Sequence, residues 1–169
     1  MSKLSLSAQV KQACLSKHFR LAVAESLTAG HLQALITSVP GASGYFEGGI
    51  TAYNLEQKVC FLKVDEDRAR EVNCVSQDIA VQMAERVLHL FNATVAIATT
   101  GYAEPDPSRD IPTPYAYVAV SNGIWYAWKR ITPPFGMKRL QVQRFVAEEA
   151  LKLFLKETDA LRFSGLCAV

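Results

Sequence analysis

A junction between a strand and a helix near the N-terminus carries the side chains best suited to covalent chemistry. The apolar run at residues 21–24 ends at Glu25, and Ser26, Thr28 and Gly30 follow before a helical pattern begins. Such a junction presents a hydroxyl beside backbone N–H groups that can bind an anion or an oxyanion. Ser26 is therefore the first candidate for a nucleophile.

The same junction has a purely structural interpretation. Serine and threonine side chains commonly accept hydrogen bonds from the unpaired N–H groups at the start of a helix. Ser26 on its own does not distinguish a nucleophile from a helix cap, so a second feature of the sequence must decide.

That second feature is the segment 46–58. Gly48 and Gly49 precede a short β-prone run at residues 50–53, and Asn54 is placed to cap a helix that carries Lys58 one turn later. A lysine on a helix is usually solvated, so Lys58 alone also allows a surface role.

Taken together, the separated motifs resemble those of a known family. They are Ala24-Glu25-Ser26-Leu27-Thr28-Ala29-Gly30, Val39-Pro40-Gly41-Ala42-Ser43, Tyr53-Asn54 with Lys58, Val75-Ser76, and Thr100-Gly101. Their order and spacing, from about Leu4 to Lys156, resemble the CinA C-terminal-domain family, the nicotinamide-nucleotide amidohydrolases. The chain is therefore expected to be a single CinA C-terminal-like domain over residues 1–169.

The resemblance implies a hydrolase that converts the carboxamide of nicotinamide mononucleotide to a carboxylate and releases ammonia, with no cofactor and no metal. It implies Ser26 as the nucleophile and Lys58 as its partner, with Ser43 and Tyr53 completing the catalytic hydrogen bonds. The residues expected to bind the substrate are Glu25, Thr28, Gly30, Thr100, Gly101, Arg139 and Arg144.

Elementary chemistry agrees with a Ser-Lys pair. A serine hydroxyl needs a neighbouring base at neutral pH, and a lysine is a base only when burial or nearby cations lower its pKa. Lys58 is therefore expected to be partly desolvated and within hydrogen-bond reach of Ser26. Backbone N–H groups of the turn and the hydroxyls of Thr28 and Ser43 are the expected donors to the oxyanion.

Other catalytic arrangements have less support. His31 lies only five residues after Ser26 on the start of a helix, so the two side chains would point in different directions. The cysteines have no C-x-x-C spacing, which argues against a zinc or redox site. They are Cys14, Cys60, Cys74 and Cys167.

The segment 102–117 departs from the family pattern. Family members usually have glycines where this chain has Glu104, Pro107 and Ala116, and glycine lets backbone N–H groups approach a phosphate closely. The contacts to a substrate phosphate or ribose are therefore expected to differ. The cations expected to compensate are Arg109, Lys138, Arg139 and Arg144.

Composition limits the remaining possibilities. The chain has 169 residues, of which 50% are apolar, and a formal net charge of +2 without a basic run. These values predict one core and argue against a nucleic-acid surface. The N-terminus lacks a signal-peptide pattern and no run approaches eighteen apolar residues, so we expect a cytoplasmic protein without membrane contact.

The expected elements alternate between strands and helices. Strands are predicted at 20–25, 50–53, 94–100, 115–121 and 124–131, and helices at 5–17, 28–37, 76–91 and 137–156, with a further helix after Asn54. The charged stretch 65–71 is expected to be a solvated face or a short helix. This pattern predicts an α/β layered sandwich, α/β/α, with a mixed sheet.

Three functional interpretations remain at this point. The first is the amidohydrolase acting on nicotinamide mononucleotide, the second an amidase acting on another small carboxamide, and the third a non-catalytic ligand-binding protein of the same fold. The hairpin edge at residues 115–131 also offers a surface for pairing with a second copy, so a homo-oligomer is allowed.

Overall fold

The computed structural model describes residues 4–159, which form five strands and six α-helices. The strands are β1 (Leu21–Glu25), β2 (Phe46–Thr51), β3 (Val95–Tyr102), β4 (Tyr115–Ser121) and β5 (Tyr126–Ile131). The helices are α1 (Leu6–Ser16), α2 (His31–Thr37), α3 (Leu55–Leu62), α4 (Glu66–Glu71), α5 (Gln77–Leu90) and α6 (Arg139–Asp159). Within this part of the chain no helix combines the length and apolarity needed to cross a membrane.

The strands form one sheet in the order β2-β1-β3-β4-β5. Strand β1 is parallel to both β2 and β3, whereas β4 is antiparallel to β3 and β5 is antiparallel to β4. Because β1, β2 and β3 run in the same direction, their carboxyl ends meet at one edge of the sheet. The segments that follow these three strands are therefore brought together there.

The central strands alternate large and small apolar residues, and each kind faces one layer of helices, because successive side chains point to opposite faces of a sheet. Val23 and Ile97 belong to the core covered by α1, α2 and α6. The opposite face packs against α3, α4 and α5 through small side chains: Ala22, Ala24, Ala96, Ala98 and Ala119. The predicted layered α/β sandwich with a mixed sheet is confirmed.

Two element starts differ from the prediction by three residues or more. Strand β2 begins at Phe46 rather than at residue 50, because Gly48 and Gly49 lie inside the strand instead of forming a turn before it. A Cβ on Gly49 would lie 2.5 Å from Val23 Cγ2, so the close approach of β1 requires glycine. Helix α2 begins at His31 rather than at residue 28, because residues 26–30 form the turn.

The helix caps that hold the neighbouring elements are those expected. The Asn54 side-chain oxygen accepts a hydrogen bond from the N–H of Gln57 at 2.9 Å, at the start of α3. The Ser76 hydroxyl accepts one from the N–H of Ile79 at 3.3 Å, at the start of α5. The charged stretch 65–71 contains the short helix α4.

Candidate active site

Ser26 and Lys58 meet at the carboxyl edge of the sheet. Ser26 directly follows β1, and Lys58 lies one turn into α3, which follows the neighbouring parallel strand β2. The Nζ atom of Lys58 donates a hydrogen bond to Ser26 Oγ at 2.9 Å and a longer one to the carbonyl oxygen of Tyr53 at 3.3 Å. The parallel pairing of the two strands thus brings together side chains 32 positions apart in sequence.

Both members of this pair are buried. Lys58 is 1% exposed and Ser26 is 6% exposed. Burial lowers the pKa of the Lys58 amine, and the nearby Cys74 thiol opposes that shift only in part. None of the ion pairs within residues 4–159 involves Lys58. A buried amine without a counter-ion favours its neutral form, which is the form that can accept a proton.

A cavity of about 500 Å³ opens above this pair. Its volume falls in the range of small-molecule sites, roughly 300–1,000 Å³. The predicted site residues that line it are Ser26, Tyr53, Lys58, Thr100, Gly101 and Arg139. They come from the ends of β1 and β3, from the connection between β2 and α3 with the start of α3, and from the start of α6.

Arg139 connects three segments at the rim of the cavity. Its guanidinium donates to the phenol oxygen of Tyr53 and forms an ion pair with the carboxylate of Glu104, which lies in the connection between β3 and β4. The side chains of Arg139 and Glu104 are 45% and 59% exposed. The rim of the cavity, formed by Glu104 and Arg139, therefore carries charges in contact with solvent. The floor, formed by Ser26 and Lys58, is buried.

Glu25 does not reach the cavity, although it was expected to bind the substrate. Its carboxylate is fully buried and accepts hydrogen bonds from the N–H groups of Gly30, Leu32 and Gln33 at 2.9, 3.1 and 2.9 Å. These groups are the unpaired donors at the start of α2. Glu25 thus caps α2 from the preceding strand and takes up N–H groups that were expected to face a ligand.

The structure places Ser43 away from Ser26. Ser43 is exposed and lies in a short 3₁₀ turn before β2, whose first residue, Phe46, pairs with Leu21 at the start of β1. Ser26 follows the other end of β1, five residues further on, which is about 16 Å along a strand. Within one chain, the Ser43 hydroxyl is therefore too far from Ser26 to contribute the expected catalytic hydrogen bond.

Arg144 also lies outside the cavity. It lines a separate small pocket on α2 and α6 together with His31 and Glu148. Arg139 lies at the start of α6, whereas Arg144 is more than one helical turn further along and exposed. Of the two arginines predicted to bind the substrate, only Arg139 reaches the site.

The remaining predicted residues mainly build the surroundings. Thr28 is buried, with its hydroxyl 2.7 Å from that of Thr99, and it is not among the lining residues. Gly30 adopts a left-handed backbone, with φ of +94°, and donates to Glu25. A Cβ on Gly101 would lie 2.4 Å from the carbonyl oxygen of Tyr115, so the approach of β4 requires glycine there.

Some lining residues had no role in the sequence-based prediction. Asn73 and Cys74 lie in the connection between α4 and α5, and both have a left-handed backbone. The carbonyl of Cys74 accepts a hydrogen bond from the Thr100 hydroxyl at 2.7 Å, which fixes this connection to β3. Burial raises the pKa of the Cys74 thiol, so the thiol is poorly suited to act as a nucleophile. Cys74 directly precedes the Val75-Ser76 motif, but its place in the cavity wall depends on packing between distant segments.

No group of three histidine, cysteine, aspartate or glutamate side chains within residues 4–159 is arranged to hold a metal ion. The side chains that line the cavity include the buried hydroxyl of Ser26, the buried amine of Lys58 and the half-exposed guanidinium of Arg139. This set suits nucleophilic attack on a polar carbonyl group.

Comparison with known proteins agrees with the motif pattern. A family model described as the CinA C-terminal domain matches residues 3–158. A CinA-like protein of Flavobacterium psychrophilum is 33% identical over 144 residues, which cover 83% of this chain and 34% of that protein. A CinA-like protein of Frankia casuarinae is 39% identical over 118 residues, covering 70% of this chain and 27% of that protein. The chain thus spans about a third or less of these relatives.

Solved structures share the fold over nearly the whole chain. The competence damage-inducible protein A (ComA) of Klebsiella pneumoniae has a TM-score of 0.87 at 25% identity, with 93% of this chain and 97% of that chain covered. A competence-damaged protein (CinA) superfamily protein of Escherichia coli has a TM-score of 0.84 at 21% identity, with 92% and 94% covered. The chain described here belongs to the CinA C-terminal domain family.

Proposed function

We propose that this chain is an amidohydrolase that converts the carboxamide of nicotinamide mononucleotide to a carboxylate, with Ser26 as nucleophile and Lys58 as general base. The observation that carries the proposal is the 2.9 Å contact between Lys58 Nζ and Ser26 Oγ at a buried position. The choice of substrate follows from the resemblance of the motifs to the nicotinamide-nucleotide amidohydrolases.

The first step is attack on the carboxamide carbon. With the amine neutral, one N–H of Lys58 remains on the carbonyl of Tyr53, and the nitrogen lone pair is available to the Ser26 hydroxyl. The Ser26 proton moves to Lys58 Nζ while the bond between Oγ and the carboxamide carbon forms. The electron pair of the carbonyl π bond moves to its oxygen, and we assign the backbone N–H of Leu27, which lines the cavity, to bind that oxyanion.

The second step releases ammonia. The tetrahedral intermediate re-forms its carbonyl bond and breaks the carbon–nitrogen bond, while the Lys58 ammonium returns its proton to the leaving nitrogen. An ester on Ser26 remains. Water then attacks the ester while Lys58 again accepts a proton. The bond between the carbon and Oγ breaks as the Lys58 ammonium returns that proton to Oγ, which gives the carboxylic acid, the free Ser26 hydroxyl and the neutral amine. The net reaction consumes one water and one carboxamide.

One observation favours a second candidate, an amidase acting on a carboxamide without a phosphate. The Glu104 carboxylate already forms an ion pair with the guanidinium of Arg139. Arg139 is the one arginine among the described residues that line the cavity. A substrate phosphate would meet a negative charge at this position, whereas a neutral carboxamide would not. The catalytic pair is the same for both candidates.

The test measures ammonia release from nicotinamide mononucleotide, nicotinamide and other small carboxamides. We expect activity on the mononucleotide and a loss of kcat of about 1,000-fold or more in Ser26→Ala, since a covalent mechanism loses its nucleophile. Ser121→Ala is the matched control, because Ser121 is also buried but does not line the cavity. Equal activity of Ser26→Ala and the wild type would refute the assignment.

Activity on unphosphorylated carboxamides alone would support the second candidate. A wild-type protein that binds the mononucleotide but releases no ammonia from any substrate would instead support a non-catalytic ligand-binding role.

A further inference from the structure

We propose that Glu104 determines how strongly the cavity prefers a phosphorylated carboxamide over its unphosphorylated counterpart, because it competes with a substrate phosphate for Arg139. The inference rests on the proposed function in one respect, namely that the carboxamide of the substrate lies at Ser26. It adds a specificity-determining residue at the rim.

The charged side chains on the cavity wall are few. Among the described residues they are Lys58, Glu104, Asp106 and Arg139. Burial favours the neutral form of Lys58. Hydrogen bonds from Ser108 and Arg109 lower the pKa of Asp106, so that carboxylate is ionised and already paired. Among these four side chains, Arg139 is therefore the one that remains positively charged and can bind an anion.

The guanidinium of Arg139 is already engaged on two sides. Nη1 faces the Glu104 carboxylate and Nη2 faces the Tyr53 phenol. A planar guanidinium binds carboxylate and phosphate with the same fork of donors. A phosphate that approaches Arg139 must therefore displace Glu104 or lie next to its negative charge.

The contact is weak enough to be displaced. Arg139 and Glu104 are both about half exposed, and exposed ion pairs contribute little to stability. The proposed competition therefore does not require local unfolding, and its size is set by electrostatics at a solvated site. An unphosphorylated carboxamide makes no demand on Arg139, so Glu104 affects the two ligands differently.

The experiment uses the Ser26→Ala protein, in which binding is measured by calorimetry without turnover. The two ligands are nicotinamide mononucleotide and nicotinamide riboside, which differ by the phosphate. Glu104→Gln should raise the ratio of riboside Kd to mononucleotide Kd about tenfold, which corresponds to about 1.4 kcal/mol. Glu104→Asp keeps the charge and should keep most of the original ratio.

Two further variants separate competition from other effects. Glu71→Gln removes another exposed glutamate that pairs with an arginine, Arg68, but does not line the cavity, and it should leave the ratio unchanged. In the Arg139→Gln background, Glu104→Gln should change the ratio by no more than about threefold, because the contested group is gone. If Glu104→Gln still changed the ratio tenfold in the Arg139→Gln background, Glu104 would act by direct repulsion of the phosphate, and the proposed competition for Arg139 would be wrong.

Inorganic phosphate gives a readout that does not depend on the carboxamide. Its Kd, from chemical-shift titration of the arginine side chains, should fall about tenfold in Glu104→Gln. If neither carboxamide binds but this shift occurs, the proposed function fails, whereas the competition between Glu104 and phosphate for Arg139 stands. The proposal would be overturned if Glu104→Gln changed neither the phosphate Kd nor the ratio of riboside Kd to mononucleotide Kd. A fall in that ratio would also overturn it, because it would mean that Glu104 orients Arg139 for phosphate binding.

Discussion

At the floor of the cavity, Ser26 and Lys58 are almost fully buried, and none of the ion pairs within residues 4–159 includes Lys58. At the rim, Glu104 and Arg139 are about half exposed and neutralise each other. Water screens the charges at the rim, so adding or removing a charge there changes the free energy of unfolding only slightly. At the floor, burial lowers the pKa of the Lys58 amine, so the environment there affects the protonation of this group.

This contrast separates two tasks. Burial at the floor disfavours the charged form of the Lys58 amine, and in the proposed mechanism this neutral amine accepts the proton of the Ser26 hydroxyl. The rim costs little and can be altered without disturbing the core, which suits the selection of ligands. Substitutions in the two regions should therefore affect different kinetic parameters.

The largest expected effect comes from removing the base at the floor. Lys58→Met keeps an unbranched side chain in the buried space but cannot accept a proton, so kcat for ammonia release should fall about 1,000-fold. The loss should appear in kcat rather than in KM, measured with nicotinamide mononucleotide. Lys156→Met, at a lysine that is 79% exposed, should retain wild-type rates. Retained activity in Lys58→Met would remove the functional difference between floor and rim.

Sequence reasoning reached the floor more easily than the rim. The family motifs placed Ser26 after a strand and Lys58 after the Asn54 cap, and two parallel neighbouring strands are sufficient to make those positions meet. The contact between Glu104 and Arg139 joins residues 35 positions apart on a loop and a helix start. Nothing local in either segment specifies that pairing, which depends on how the connection between β3 and β4 crosses the sheet edge.

Glu25 shows a different limit of the sequence. The pattern of a strand, a turn and a helix correctly indicated unpaired N–H groups at the start of α2. It did not reveal that the carboxylate at the end of the strand turns back to accept those hydrogen bonds. A helix start thus has the same sequence signature whether it binds a ligand or is capped by its own chain.

The next effect concerns stability and follows from the lowered pKa of Lys58. Between that pKa and the ordinary lysine value, the unfolded chain binds a proton that the folded chain does not, so stability rises with pH across this window. Lys58→Met removes the linkage. The variant should be more stable than the wild type at pH 7, by about 1 kcal/mol, since a buried polar group is removed.

This advantage should shrink as the pH approaches the ordinary pKa of lysine, about 10.4. Chemical denaturation of both proteins at pH 7 and pH 10 measures the difference directly. A stability difference that is the same at both pH values would show that Lys58 is not held neutral by the fold, and the floor would then resemble the rim.

The smallest expected effect is at Ser43, which tests whether the reacting groups are confined to the carboxyl edge of the sheet. Ser43 was expected to contribute because it lies in a family motif. The sequence predicted that β2 begins at residue 50, and this prediction did not determine at which edge of the sheet Ser43 lies. With β2 starting at Phe46, the chain at Ser43 passes the amino edge. Ser43→Ala should therefore change kcat/KM for ammonia release by less than about twofold, as expected for an exposed side chain outside the site. A loss approaching that of Ser26→Ala would contradict this expectation and would mean that Ser43 acts in the cavity of a second copy. Sedimentation of the active protein would then show whether the active species is a monomer or an oligomer.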